Sequence, residues 1–261
     1  MIKILAWLTR KFHPRGTERL LRLVYHPDKV RGFNAIIPYD GDLRIHINTA
    51  SFIEWKLYFY GYHDPELVGL IKQHFKSGVF VDVGANIGVI TLIAAKAARE
   101  VIAIEPIPGI ARRLRQNCVL NQLNNVVVQE CGLSDQNGKA VFFLPDEGAA
   151  NRGIGSLYER HARGKQIEIE VRTLDSVLEG KNVDFIKIDT EGNDGRVILG
   201  ALNTIKRCKP IILFEYDKSS WDMAGMELAS ILKVLKTYGY AIRSNAEEFQ
   251  DILCMPEVRE R

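Results

Sequence analysis

VFVDVGANIGVITLIAAKAAREVIAIEP, residues Val79 to Pro106, decides how the chain folds. Val79 to Val83 is a short apolar run rich in β-branched residues, which reads as a buried strand. A glycine turn follows at once: Gly84, Ala85, Asn86, Ile87, Gly88. Then comes an apolar helix without proline, Val89 to Ala98, and a second strand, Val101 to Ile104, that ends in Glu105 and Pro106. Strand, glycine turn, helix and strand ending in an acid make the first half of a nucleotide-binding βαβ unit.

The turn also says which nucleotide. Gly84 and Gly88 let a ligand approach backbone that a side chain would block. The N-terminus of the following helix offers N–H groups beside the turn. Glu105 lies 21 residues past Gly84, where a strand end brings a carboxylate to ribose hydroxyls. The pattern is D-x-G-x-x-x-G, and Asn86 stands where the pyrophosphate fingerprint needs its middle glycine. Asp82, just before the turn, offers a carboxylate to a ligand amine. An adenosyl group carrying a cationic amino acid fits these residues better than a dinucleotide.

The rest of the chain sets limits. At 261 residues it is long enough for one large domain with an extension. Apolar and charged fractions of 46% and 26% are those of an ordinary globular protein. A net charge of +3 does not argue for nucleic acid, which calls for a concentrated basic face. Cys118, Cys131, Cys208 and Cys254 are widely spaced, so reduced thiols in a cytoplasmic setting are expected. No apolar run reaches the length of a membrane span. The apolar patch from Ile4 to Leu8 is too short for a secretory signal. It reads either as an amphipathic helix resting on a membrane or partner, or as a helix packed on the domain, and the second is expected.

Residues 1–62 read as a helical and β-hairpin extension, and 63–261 as the ligand-binding domain. Within the extension, 18–25 is amphipathic, and Asp40-Gly41 turns a hairpin over 34–48. An aromatic segment from 51 to 62 precedes a helix over 65–73. In the domain, a helix over 110–121 carries Arg112, Arg113 and Arg115 on its outside. Strands are expected at 126–129, 140–144, 166–172, 183–188, 211–214, 240–243 and 252–255. Helices are expected at 174–178, 196–208 and 226–238. The polar segment 145–165 reads as a substrate-side lid. Alternating strands and helices imply an α/β three-layer sandwich with a mostly parallel sheet, whose ligands bind beyond the strand C-terminal ends. Asp82, Glu105, Asp189 and Glu215 all fall at such ends. Asp194 and, less strongly, Asp189 also suit the plainer role of acids in a helix first turn.

VFVDVGANIG, AIEP, FIKIDTEG and PIILFEY, in that order and spacing, resemble the FkbM family of S-adenosylmethionine-dependent methyltransferases over roughly residues 50–220. RTLD at Arg172 to Asp175 and GSL at Gly155 to Leu157 look like family features too. One departure is Asp194, where family members often carry Glu. The resemblance implies a class I methyltransferase (Rossmann-like) fold, with seven strands of which the last is antiparallel. It also implies O-methylation of a hydroxyl on a sugar, polyketide or related metabolite. Carried over, Asp82, Gly84, Asn86 and Gly88 cradle the methionine part of S-adenosyl-L-methionine. Glu105, with Pro106, holds the ribose. Cys131 and Gly132 flank the adenine. Asp189 and Glu191 face the methyl group and the acceptor as the catalytic pair, Asp189 touching the cofactor as well. His63 and His161 are outside candidates for the base, and Arg152, Tyr158, Arg160 and His161 would suit a polyhydroxylated or anionic acceptor.

Other classes fit less well. A nicotinamide oxidoreductase would want G-x-G-x-x-G and a hydride-transfer dyad, and the only Y-x-x-x-K is Tyr25 to Lys29 in the extension. A nucleic-acid methyltransferase would show an N/D-P-P-Y tetrad where Asp189-Thr190-Glu191-Gly192 stands. A silent module that only binds the cofactor is the remaining alternative. No His/Asp cluster has metal-ligand spacing, so no metal is expected.

Overall fold

The computed structural model describes residues 2–12, 21, 25, 31–62, 64–144, 157, 165–243 and 249–257. His63, His161, Gly155, Arg152, Tyr158 and Arg160 lie outside them, as do most of the expected lid and of the helix expected over 18–25.

Helix α1 (Ile2–Phe12), strands β1 (Asn34–Tyr39) and β2 (Leu43–Asn48), and helices α2 (Phe52–Tyr60) and α3 (Pro65–His74) form an N-terminal layer. The hairpin turns at Asp40-Gly41 as expected, with Tyr39 opposite Leu43 and Ile37 opposite Ile45. Period-two alternation buries Leu43, Ile45 and Ile47 and leaves Arg44 exposed. The aromatic segment is helix α2, which buries Trp55, Leu57, Tyr58 and Phe59 and stops at Gly61. Asp64 opens α3 by accepting the Leu67 N–H at 2.9 Å, with Pro65 in the first turn.

The expected βαβ unit follows as β3 (Val79–Val83), α4 (Val89–Ala95), β4 (Glu100–Ile104), α5 (Pro108–Leu120) and β5 (Val126–Gln129). Beyond it come β6 (Gly132–Leu133), β7 (Gly138–Phe143), β8 (Gln166–Arg172), α6 (Leu174–Val177) and β9 (Phe185–Ile188). The chain continues with α7 (Asp194–Leu199), α8 (Leu202–Cys208), β10 (Ile211–Asp217), α9 (Lys218–Met223), α10 (Leu228–Thr237), β11 (Tyr240–Arg243) and β12 (Phe249–Pro256).

The main sheet has seven strands in the order β11-β12-β10-β9-β3-β4-β5. β10, β9, β3, β4 and β5 run parallel, while β12 is antiparallel to both its neighbours. This is the class I methyltransferase order, with the last strand in the chain inserted antiparallel. Side chains alternate between two cores. Phe80, Val101, Ala103, Phe185 and Leu213 face one side, with Ile45, Trp55 and Phe59 of the N-terminal layer. Val81, Val83, Ile102, Ile186 and Phe214 face the other, with Val197, Trp221 and Leu235. The strand order reverses between β3 and β9, which opens a crevice at their C-terminal ends. Among the described residues no helix is long and apolar enough to cross a membrane.

The strands expected at 140–144 and 166–172 lie outside the seven-stranded sheet: β7 and β8 pair antiparallel beside β6 in a sheet of three. Three expectations need correction. The helix over 196–208 is two helices, because Gly200 lies against another segment. A Cβ there would meet Ser134 O at 2.2 Å, and the Asp175 carboxylate accepts the Asn203 and Thr204 N–H groups that open α8. β10 runs on to Asp217, since β12 pairs with it through Glu215, Tyr216 and Asp217. Arg113 turns inward rather than out, and its guanidinium grips both carboxylate oxygens of buried Glu54 at 2.8 and 2.5 Å.

Candidate functional site

A cleft of about 1070 Å³, open to solvent, lies beyond the ends of β3, β4 and β9. Its floor is the glycine turn. The N–H groups of Gly84 and Ala85 both donate to Ile104 O at 3.0 Å, which ties the turn to β4. Gly84 has φ of 73°, and a Cβ there would fall 1.8 Å from Asp189 O. Only glycine lets the end of β9 pass this close. Asn86 also has positive φ, 50°, a conformation asparagine tolerates better than most residues. That conformation aims its N–H at Glu105 Oε2, 3.0 Å away.

Glu105 is the most firmly held acid on the cleft wall. It is 5% exposed, and Oε1 accepts the Ile107 N–H at 3.0 Å while Oε2 accepts that of Asn86. Each oxygen keeps capacity for a further donor. Burial raises its pKa to about 7, against the two N–H bonds that pull it down. Apolar wall surrounds it: Pro106, Ile107, Cys131, Leu133 and Phe142, with Leu157. Burial pushes the Cys131 thiol up to about 11, so this sulfur is wall and not nucleophile. A buried carboxylate with free acceptor capacity, next to an apolar slot in the cleft wall, fits the ribose and adenine of an adenosyl ligand.

Of the ten residues expected at the site, Gly84, Asn86, Glu105, Pro106, Cys131, Gly132, Asp189 and Glu191 are brought to the cleft wall together. The other cofactor-side candidates, Asp82 and Gly88, are not on that wall. Asp82 is fully buried; its Oδ2 accepts the Thr91 hydroxyl at 2.6 Å and its Oδ1 lies 3.6 Å from Lys187 Nζ. Gly88 opens helix α4. Glu215 stays in β10 away from the wall, and burial together with the charges of Asp189, Glu191 and Asp194 raises its pKa. Asp194 is buried behind the 189–194 loop and braces it, accepting the N–H groups of Thr190 at 3.0 Å and Gly192 at 3.2 Å. Burial, then the Asp189 charge, lifts its pKa to about 7.

Lys187 is the residue that sequence reasoning missed. It is only 4% exposed, yet it lines the cleft. Its ammonium lies 3.2 Å from Asp189 Oδ2 and 3.5 Å from Gly84 O. Burial works against its charge, but Asp189 and Asp82 outweigh that and raise its pKa overall. The signal was available: a lysine inside the apolar run Phe185 to Ile188, two residues before a strand-end acid. Ile53, Asp64 and Leu67 from the N-terminal layer close the opposite side of the cleft. Among the described residues, no group of three or more His, Cys, Asp or Glu is placed to hold a metal ion.

The family model for the methyltransferase FkbM domain matches residues 82–242. No curated protein matches the chain. Among solved structures, the chain is similar to methyltransferase FkbM from Methylobacillus flagellatus KT, at 20% identity and a TM-score of 0.44, over 69% of this chain and 43% of that one. The chain therefore spans under half the length of that relative. It is similar to the Pyrococcus abyssi tRNA (uracil-54, C5)-methyltransferase in complex with S-adenosyl-L-homocysteine, at 14% identity and a TM-score of 0.47, over 85% of this chain and 43% of that one. M. jannaschii TYW2 in complex with AdoMet aligns at 17% identity and a TM-score of 0.44, over 85% of this chain and 84% of that one.

Proposed function

The chain belongs to the FkbM methyltransferase family, and we propose that it is a cytoplasmic S-adenosylmethionine-dependent O-methyltransferase acting on a hydroxyl of a sugar, polyketide or related small metabolite. The observation that carries the cofactor reading is Glu105, a buried carboxylate fixed by two backbone N–H groups and still able to accept from a ribose diol. Gly84 and Asn86 line the methionine end. Asp82 and Gly88 act from behind it, Asp82 by holding Lys187 and Gly88 by opening α4. Cys131 and Gly132 flank the adenine slot beside Pro106.

The bound cofactor supplies a methyl group already activated on a sulfonium. What remains for the protein is to align an acceptor oxygen with that methyl, exclude water and receive a proton. Asp189 and Glu191 stand on the acceptor side of the cleft. Lys187 fixes Asp189 through Oδ2, which leaves Oδ1 to accept the acceptor hydroxyl's hydrogen bond and take its proton. Ile53, Asp64 and Leu67 give the acceptor its far wall. Asp189-Thr190-Glu191-Gly192 lacks the prolines and tyrosine of base-methylating sites, which favours a small molecule or glycan over nucleic acid.

Calorimetric titration with S-adenosylhomocysteine and, separately, NAD tests the cofactor. Micromolar binding of the first, silence with the second, and weakening by Glu105→Ala are expected. Binding of NAD in preference would overturn the reading. With labelled cofactor and a panel of hydroxylated acceptors, Asp189→Asn is expected to lower turnover roughly 100-fold or more while leaving S-adenosylhomocysteine binding in place.

A further inference from the structure

Helix α1 has two faces in different use. The inner face is fixed to α2: Ala6 and Thr9 are buried, and the Arg10 guanidinium donates to Tyr58 O at 2.9 Å and Leu57 O at 2.7 Å. The outer face carries exposed apolar side chains. Ile4 is 65% exposed, Trp7 56% and Leu8 39%. They stand at i, i+3 and i+4, one stripe of a helix surface. Lys3 and Lys11 lie at the two ends of the stripe, and the Lys11 ammonium sits 5.0 Å from the Trp7 ring centroid. The helix carries no acidic residue.

Charge is distributed unevenly along the whole chain. The first 31 residues hold eight Lys and Arg against two Asp and Glu, and the other 230 hold 27 against 30. The cationic part of the sequence is thus the part that carries the apolar stripe. We propose that the outer face of α1 docks on an anionic lipid bilayer, with Ile4, Trp7 and Leu8 entering the headgroup boundary and Lys3 and Lys11 at the phosphates. At 11 residues the helix is too short to span a bilayer and is suited to lie in its plane. A second copy is a poorer occupant, because self-association would bring two basic stripes together. A folded partner is poorer too, since three side chains fall well short of a stable protein interface. Lipid accepts single apolar side chains without matched shape, and tryptophan is favoured at that depth. The docked helix is one layer from the cleft, because α2 beneath it supplies Ile53 to the wall.

The tryptophans make this measurable. Trp55 and Trp221 are each 1% exposed, so a change in tryptophan emission on adding vesicles reports Trp7. The full chain would be mixed with phosphatidylglycerol/phosphatidylcholine vesicles and with pure phosphatidylcholine. Expected are flotation and a blue shift on the anionic vesicles, at least about ten-fold stronger than on neutral ones, quenching by brominated lipid, and weakening by salt. The double variant Ile4→Glu/Leu8→Glu is expected to lose flotation and keep wild-type S-adenosylhomocysteine binding, which shows it folded. Equal partition onto neutral vesicles, an unshifted spectrum, or unimpaired flotation of the double variant would overturn the proposal. So would a dimer in which Trp7 is shielded from acrylamide, which would assign the face to a second copy.

Discussion

At the scale of single residues, Glu105 couples folding stability to pH. Burial holds its pKa at about 7 in the folded chain, against 4.5 as its ordinary value. A carboxyl raised by folding contributes stability that is whole below its ordinary pKa and is lost as pH rises through the folded value. The melting temperature of the ligand-free protein should therefore decline between about pH 5 and 8. Asp194 and Asp251 are raised by burial to about 7 and about 6 and add declines of the same sign. The diagnostic is consequently the difference made by Glu105→Gln. That variant cannot ionise, so its decline should be shallower. It should also melt lower throughout, because its NH₂ must face either the Asn86 or the Ile107 N–H. A variant with the wild-type slope would remove Glu105 from this account. Glu105 was legible in sequence because strand-end position and distance from Gly84 are local properties. Its protonation was not, because burial is set by Phe142, Leu133 and the far wall.

At the scale of elements, β9 shows what periodicity reveals and what it hides. The apolar run identified the strand, and Asp189 was rightly placed at its tip. The pairing of β9 with β3 sets Asp82 opposite Lys187, and that is a tertiary fact. Gly200 splits a helix only because Ser134, distant in the chain, lies against it. The Lys187 ammonium is the counter-charge of an Asp82 that is entirely buried. Lys187→Met should then cost about 3–5 kcal/mol of folding stability, since it strands a buried carboxylate. Adding Asp82→Asn should return a large part of that loss. Urea unfolding of both single variants and the double variant reads the coupling, and strictly additive effects would show that the two side chains do not sense one another.

At the scale of the molecule, the sequence reading separates an extension, 1–62, from a domain, 63–261. The contacts bear on whether that boundary is one of folding. Glu54 of α2 is gripped by Arg113 of α5. Asn117, fully buried in α5, accepts the His46 N–H of β2 at 2.8 Å and donates to Ile87 O of the glycine turn at 2.9 Å. The Tyr39 hydroxyl donates to Val89 O at 2.9 Å, at the start of α4. The hairpin and α2 also supply Ile45, Ile47, Trp55 and Phe59 to the core on that face of the sheet. Without them Phe80, Phe185 and Leu213 would lose their cover, and the glycine turn would lose two of its braces. Calorimetry of the whole chain should therefore show a single unfolding transition, raised as one by S-adenosylhomocysteine. A fragment of residues 63–261 should fail to fold or to bind that ligand. Asn117→Ala should weaken ligand binding and lower stability by about 1–3 kcal/mol, since it leaves the buried Ile87 carbonyl without its donor. A separate early transition, or a folded and binding-competent fragment, would mean that the N-terminal layer is an appendage whose contacts with the turn carry no energy.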